Sequence, residues 1–375
     1  MIKKFAYIDA LRGLAVLGVI MVHVGLRYNN LPSWITPITD QGARGVQSFF
    51  ILSALTLFLS MKQRTTLGEF GQRDFLIRRF FRIAPLFYLA AIIYSARDVI
   101  LNHFSTGGYQ DFELLPFTST FLLVTNGLNP SWINLVVPGG WSITVEMTFY
   151  LFVPLLFRKI KSLRGSIVFT VFTFLIAFFA NYVYTIIAAG HISENKLDSY
   201  LFYWFPNQLP VFSLGILVYF LIEKTQKINL SKKLGYSGIF AAIISLLLLP
   251  FLSIPNHINH FVFSLIFVML VWLFSKINIP LFINKVTILI GKLSFSMYLT
   301  HFLVIQVTGA VVSRLGLNSV LELITLYLLT VMVTVGVSYA SYNLIEKPGI
   351  RLGNEIIKRL NKKVEITKAK NSLNA

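Results

Sequence analysis

Residues 8–26 read IDALRGLAVLGVIMVHVGL, nineteen positions that are apolar or glycine except for Asp9, Arg12 and His23. A helix rising about 1.5 Å per residue needs about 20 such positions to cross the hydrocarbon of a bilayer, so the stretch reads as a membrane span that carries charge. Lys3 and Lys4 ahead of it would also suit a secretory signal. Asp9 and Arg12 interrupt the apolar run, however, and no clear small-x-small cleavage site follows, so it is kept as the first span.

Nine further stretches of the same kind follow: Gly45 to Met61, Phe80 to Ala96, Trp141 to Phe157, Ile167 to Ala189, Phe205 to Ile222, Leu234 to Leu252, His260 to Phe274, Leu293 to Val312, and Val320 to Tyr342. Lipid offers backbone polar groups no partner outside their own helix, so all ten are expected to be helical. The expected fold is an all-α membrane protein, a bundle of about ten transmembrane helices. Residues 1–348 form one membrane domain and residues 349–375 a basic tail, without short-period repeats or a low-complexity linker.

Composition agrees. Of 375 residues 55% are hydrophobic and 13% charged, with mean hydropathy +0.71, whereas an ordinary soluble domain carries about 25% charged residues. A water-soluble globule is excluded. The absence of cysteine excludes disulfides, thiolate nucleophiles, cysteine–metal sites and acyl-cysteine intermediates.

The net charge of +18 raises the question of nucleic acid, and the placement of the charges answers it. With the N-terminus inside, 27 of the 33 Lys and Arg residues fall on inner segments, five on outer ones, and Arg12 within the first span. This positive-inside pattern predicts that both termini are cytoplasmic. It leaves nucleic-acid binding little to explain and makes the bilayer, with its anionic lipid, the expected partner. The same count decides Leu114 to Leu128, which is apolar enough for another span. Counting it would invert every later loop, so Ala96 to Gly140 is read as a long outer segment with a re-entrant or surface-lying piece.

Ionisable residues within spans are costly and by default mark functional sites. From Arg12 to His23 is eleven steps, about 1100° of helix and within about 20° of whole turns, so the two share a face about 16 Å apart along the axis. Asp9, one turn before Arg12, is its natural ion-pair partner. The alternative is that Asp9 and Arg12 snorkel at the interface while His23 hydrogen-bonds a neighbouring helix.

A second group, Trp141 and Ser142 through Glu146 to Phe149, Tyr150 and Pro154, places Glu146 about 8 Å below the outer end of its span, in the half of the bilayer that holds His23. Glu146 either orients an imidazole or a hydroxyl, or makes a structural hydrogen bond. A third, Arg73, Arg78, Arg79 and Arg82, offers guanidinium forks to phosphate, or is an ordinary positive-inside cluster. The fourth, Ser294 to His301, puts Tyr298 and His301 near mid-membrane, His301 as a second catalytic group or a cavity-lining hydrogen bonder. His257 and His260 lack a companion carboxylate, so no metal site is expected. The sequence has no Gly-x-Ser-x-Gly elbow, phosphate-binding Gly-rich Lys loop or His-Glu-x-x-His pair.

In this order the segments resemble the acyltransferase 3 family of membrane O-acyltransferases. The likeness is carried by Ile8-Asp9-Ala10-Leu11-Arg12-Gly13 with His23, by Ser48 to Ser53, by Arg78 to Ile83 with Pro85, by Trp141 to Pro154, by Tyr298 to His301, and by Ile345-Glu346-Lys347-Pro348. Ala54 departs from it, where the family commonly has glycine.

The resemblance implies His23 as catalytic histidine with Arg12 as its companion, and the Arg78 to Arg82 cluster, with Arg79 in it, engaging a CoA donor. The residues themselves add Arg73 to that cluster, Glu146 as the group that orients the imidazole or the acceptor, and an acceptor region expected to include Trp132, Trp141, Ser142, Tyr298 and His301. The implied reaction moves an acyl group, acetyl first, from acyl-CoA to a hydroxyl of an envelope glycan in a bacterial cytoplasmic membrane, with no tightly bound cofactor. Because some relatives carry an extracytoplasmic hydrolase-like domain, a separate protein is the expected partner if acyl delivery needs one. The competing class is a glycan or lipid transporter in which His23, Glu146 and His301 line a polar path; a histidine-dependent O-acyltransferase of the unrelated membrane-bound family is a third.

Overall fold

The computed structural model describes residues 5–66, 71–106, 118, 120, 122, 136–252 and 256–373. Most of Leu114 to Leu128, and Trp132, lie outside the described residues. Among those residues the chain is helical with no β-strand, and ten helices are long and apolar enough to span a membrane.

In chain order the helices are α1 (Ala6–Gly25), α2 (Thr36–Asp40), α3 (Gly45–Thr66), α4 (Gln72–Thr106), α5 (Gly140–Lys159), α6 (Leu163–Ala188), α7 (Glu194–Tyr203), α8 (Phe205–Lys224), α9 (Lys232–Leu248), α10 (Asn256–Lys276), α11 (Lys285–Val312), α12 (Ser319–Ser341) and α13 (Lys347–Leu373). Several ends are written in the sequence. Asn284 accepts from the backbone of Val286 and Thr287 while the Thr287 side chain returns to the Asn284 N–H, a capping box that starts α11. Asn318, Ser162 and Ser231 cap α12, α6 and α9 in the simpler way.

Several helices overrun the spans that hydropathy marks. α4 begins at Gln72 and α11 at Lys285, each eight residues before the apolar run. A 3-10 turn over Gln41–Arg44 joins α2 to α3, so that the second span starts at Thr36. The reason is that apolar composition ends where a helix leaves hydrocarbon, while its hydrogen-bond ladder continues until a cap or turn stops it. The basic tail is likewise helical: a π turn over Tyr342–Glu346 leads into α13, which lies along α4. Asn361 donates to Asp74 at 3.0 Å, and Arg73 donates to both Asn361 and, at 3.0 Å, Asp74.

Apolar burial drives helices together poorly in a bilayer, where lipid tails are as apolar as leucine; close backbone approach and interhelical hydrogen bonds do it instead. Both are visible. α1 packs most extensively on α11, and a Cβ added at Gly291 would lie 1.7 Å from the Asp9 carbonyl oxygen, one at Gly13 2.3 Å from that of Thr287. Gly42 meets α1 at Gly18 just as closely, and Gly215 brings α8 onto the Ile51 carbonyl of α3. The Tyr94 hydroxyl donates to the Leu299 carbonyl at 2.8 Å and ties α4 to α11, while Thr308 and Thr330 join α11 to α12 at 2.9 Å. α6, α9 and α12 are peripheral, with 22% of their apolar windows buried against 61–72% for α1, α3, α5, α8 and α11. The inner helices α1, α3, α5 and α11, with α4, enclose the polar side chains.

Candidate active site

A cavity of about 80 Å³ lies between α1, α3, α4, α5 and α11. Arg12, Arg79 and Arg82 line it, with Glu146, Tyr150, Ser53, Thr56, Ser142 and Tyr298. Arg12 donates from Nη2 to Thr56 Oγ1 at 2.9 Å, and its Nη1 stands 3.8 Å from Asp9 Oδ1. The guanidinium carbon of Arg79 lies over two rings, 5.5 Å from the centre of Phe75 and 5.8 Å from that of Tyr150. Contact with ring faces leaves the guanidinium N–H groups for hydrogen bonding. The Arg79 Nε is buried with no hydrogen-bond partner. A buried donor left so costs roughly 1–3 kcal/mol, more when charged, and marks where an acceptor oxygen belongs.

Glu146 accepts from the Ser53 hydroxyl and, at 2.6 Å, from the Tyr150 hydroxyl. Its charge offsets part of the three guanidinium groups and leaves the lining cationic. One turn further along α5, the Ser142 hydroxyl donates to the Tyr298 oxygen at 2.9 Å, and Tyr298 donates to the Gly139 carbonyl at 3.0 Å. Gly139 opens α5 with φ of 74°, the left-handed region, and a Cβ there would stand 2.8 Å from the Tyr298 oxygen. Gly139→Ala therefore combines backbone strain of about 1–2 kcal/mol with displacement of Tyr298. The expected result is a lower thermal unfolding temperature together with loss of activity, whereas Ser142→Ala removes one hydrogen bond and leaves the unfolding temperature nearly unchanged.

Beyond Tyr298 the polar column ends in two imidazoles. Tyr298 and His301 have ring centres 5.9 Å apart, and His301 Nε2 lies 3.1 Å from His23 Nδ1. His301 is fully buried, while His23 is partly exposed. Phe302 packs on both rings, with centres 4.3 Å and 4.1 Å away.

The expected site residues thus fall into groups. Arg12, Arg79, Arg82, Glu146, Ser142 and Tyr298 share the cavity, and His23 and His301 form a pair just past it. Glu146 makes its contacts to Ser53 and Tyr150 among the arginines, a turn or more from the imidazoles. Arg78 is not among the lining residues, and Arg73 binds Asp74 and Asn361 on the α13 side. Trp141 is not among the lining residues; its ring lies 4.5 Å from that of Tyr203 and 6.1 Å from that of Phe50. Among the described residues no group of three metal-binding side chains occurs.

Sequence reasoning left out Ser53, Thr56 and Glu346 as site residues. Ser53 and Thr56 stand one turn apart in an apolar span, the spacing that signals one polar face meeting a neighbouring helix. Glu346 is buried inside the π turn, accepts from Ser296 at 3.1 Å, and feels the charge of Arg82. Its position past the last apolar run hid it.

The profile of a family described as an acyltransferase domain, acyltransferase 3, matches residues 5–343. Proteins of Staphylococcus aureus strains COL and MSSA476, each named "Putative O-acetyltransferase", are 24% identical over 384 residues, covering 96% of this chain and 59% of their own length. This chain therefore spans about three fifths of these relatives. A protein of Acidianus two-tailed virus named "Putative acetyltransferase" is 26% identical over 320 residues, covering 82% of this chain and 86% of the viral one. No solved structure matches.

Proposed function

We propose that this chain, which belongs to the acyltransferase 3 family, carries an acyl group from cytoplasmic acyl-CoA to a hydroxyl of an envelope or surface glycan, with His23 at the reacting end. The observation that carries the reading is the cavity itself. Three guanidinium groups, Arg12, Arg79 and Arg82, converge inside the bundle with one N–H unsatisfied, and Tyr298 of the cavity lining stands 5.9 Å, between ring centres, from His301 of the imidazole pair. Guanidinium forks are suited to phosphate and to thioester carbonyl oxygen, and a cationic pocket favours an anionic ligand over a neutral one. The positive-inside pattern supports an orientation with the arginine end of α1 in the cytoplasm, where CoA thioesters are found, and the His23 end toward the outer face. Acetyl is the group named for the relatives, and it is the acyl group proposed here.

In the step proposed, His23 Nε2 removes the proton from the acceptor hydroxyl as its oxygen attacks the thioester carbon. The C–S bond then breaks, and the leaving thiolate takes the proton back from His23, giving ester and CoA thiol. Glu146 works through Arg79, since Tyr150 donates to its carboxylate while lying against the guanidinium. It thereby holds the donor end of the site.

The test is donor binding. Replacing Arg79 by Met removes a charge-assisted hydrogen bond of about 1.5–3 kcal/mol. Arg79→Met is expected to raise the Kd for a nonhydrolysable acetyl-CoA analogue by tenfold or more, while Arg78→Met, outside the cavity lining, changes it less than threefold. Purified protein that binds no CoA species would overturn the reading in favour of transport.

A further inference from the structure

The two imidazoles can be followed proton by proton. His23 Nδ1 stands 2.8 Å from the Val19 carbonyl oxygen, and His301 Nδ1 stands 3.1 Å from the Met297 carbonyl oxygen. A carbonyl only accepts, so each Nδ1 carries a proton. A neutral ring with a protonated Nδ1 has a bare Nε2. The bare Nε2 of His301 faces the Nδ1–H of His23 at 3.1 Å, so the His23 proton is shared between the Val19 carbonyl and His301. The one nitrogen then left without a proton or assigned partner is His23 Nε2. With both protons on Nε2, lone pairs would face carbonyl lone pairs at both backbone contacts, and either mixed arrangement leaves one such contact and sets two protons or two lone pairs against each other between the rings.

From this geometry we infer that His301 is the positioning residue of the reaction: it fixes the His23 ring so that Nε2 is the basic atom, and it shares the positive charge when Nε2 takes the acceptor proton. The inference rests on His23 being the base. It gives a neutral, buried imidazole the part that a carboxylate takes in other orienting pairs. Three features of the surroundings favour it. His301 is sealed at 0% exposure while His23 is reachable, so one ring suits support and the other chemistry. Phe302 packs against both rings and limits their rotation. Finally, the pair has few ionisable neighbours to compete for its proton: Tyr298 on α11 lies 5.9 Å from His301, and Arg27 packs against Gly309, eight residues further along α11. Glu146 on α5, Glu346 and the cavity arginines lie on the arginine side of Tyr298, bound to the partners described above.

The experiment uses the full-length protein in lipid nanodiscs and has two parts. The first is independent of catalysis. In 15N spectra of histidine-labelled protein, both rings are expected to be protonated at Nδ1 and bare at Nε2, with a scalar coupling across the hydrogen bond between His23 Nδ1 and His301 Nε2. A protonated His301 Nε2, or no coupling, overturns the pairing even if His23 proves essential.

The second part is kinetic. His301→Gln places a carbonyl oxygen near the lost Nε2 and is expected to retain activity within about tenfold, while His301→Leu loses roughly 10–100-fold in kcat, as for other orienting partners, with KM for acyl-CoA unchanged. His301→Glu puts a carboxylate behind His23, which stabilises its protonated form and moves the rising limb of the pH–rate profile to higher pH by about one unit or more. Equal losses in the Gln and Leu variants, with an unshifted limb in the Glu variant, would reduce His301 to packing. Thermal unfolding of each variant separates this from misfolding. If His23→Ala keeps the wild-type rate, the transfer assignment fails, and the coupling still decides whether the pair exists.

Discussion

Purified His23→Ala protein is expected to transfer acyl groups at least a hundredfold more slowly than wild type, with unchanged thermal unfolding and unchanged affinity for CoA. The size follows from the role: general acid–base catalysis contributes about 10²- to 10⁴-fold, and the remaining positioning of donor and acceptor survives the substitution. The separation follows from the geometry. His23 is at the far end of the polar column from Arg12, about 16 Å along α1, and it does not line the cavity that holds Arg79 and Arg82. His23 is also partly exposed, so its removal costs less packing than that of a fully buried side chain. A rate assay with acetyl-CoA and a soluble glycan acceptor, paired with calorimetry, checks both halves. His23→Ala with intact binding and lost turnover is the expected outcome, and lost binding would move His23 into the donor site.

The second large effect is structural. Gly291→Ala is expected to abolish activity and to lower the unfolding temperature by more than any single cavity substitution. Its Cβ would lie 1.7 Å from the Asp9 carbonyl oxygen, a backbone atom that cannot rotate away. α1 and α11 must then separate. Overpacking alone costs roughly 1–3 kcal/mol, but the larger consequence is positional, because these two helices carry His23 and His301 and their 3.1 Å contact. An error of about 1 Å in a reacting group is enough for a hundredfold loss. Gly336→Ala is the control: it lies on α12, where an added Cβ meets nothing within 4 Å, and it is expected to be silent. Activity and unfolding temperature of the two variants check the contrast.

Much of this arrangement is legible in the sequence because a bilayer reduces the possibilities so sharply. Ten apolar runs give ten helices, and the eleven steps from Arg12 to His23 put both on one face of α1, toward α3 and α11 respectively. The Asp9–Arg12 spacing likewise gives a contact, at 3.8 Å. What could not be read was partner choice across helices. Glu146 and His23 sit in the same half of the chain's apolar profile, which suggested that they meet; the structure turns Glu146 to Ser53 and Tyr150 and gives His23 to His301. That outcome depends on helix rotation, which the small residues at Gly13, Gly42 and Gly291 set through backbone contact. Periodicity within one helix carries no information about which neighbour it faces. The arginines show the same limit. All four lie within ten residues of one another, yet Arg79 and Arg82 turn inward while Arg73 turns to α13.

Transfer of an acyl group onto a surface glycan by His23 can be read out by mass spectrometry of surface glycans, before and after mild alkali, from cells expressing wild-type protein or equally abundant His23→Ala protein. An alkali-labile mass increment is expected with wild type and is expected to be absent with His23→Ala. Identical O-acyl patterns in the two, or unacylated glycan whose export alone differs between them, would contradict it.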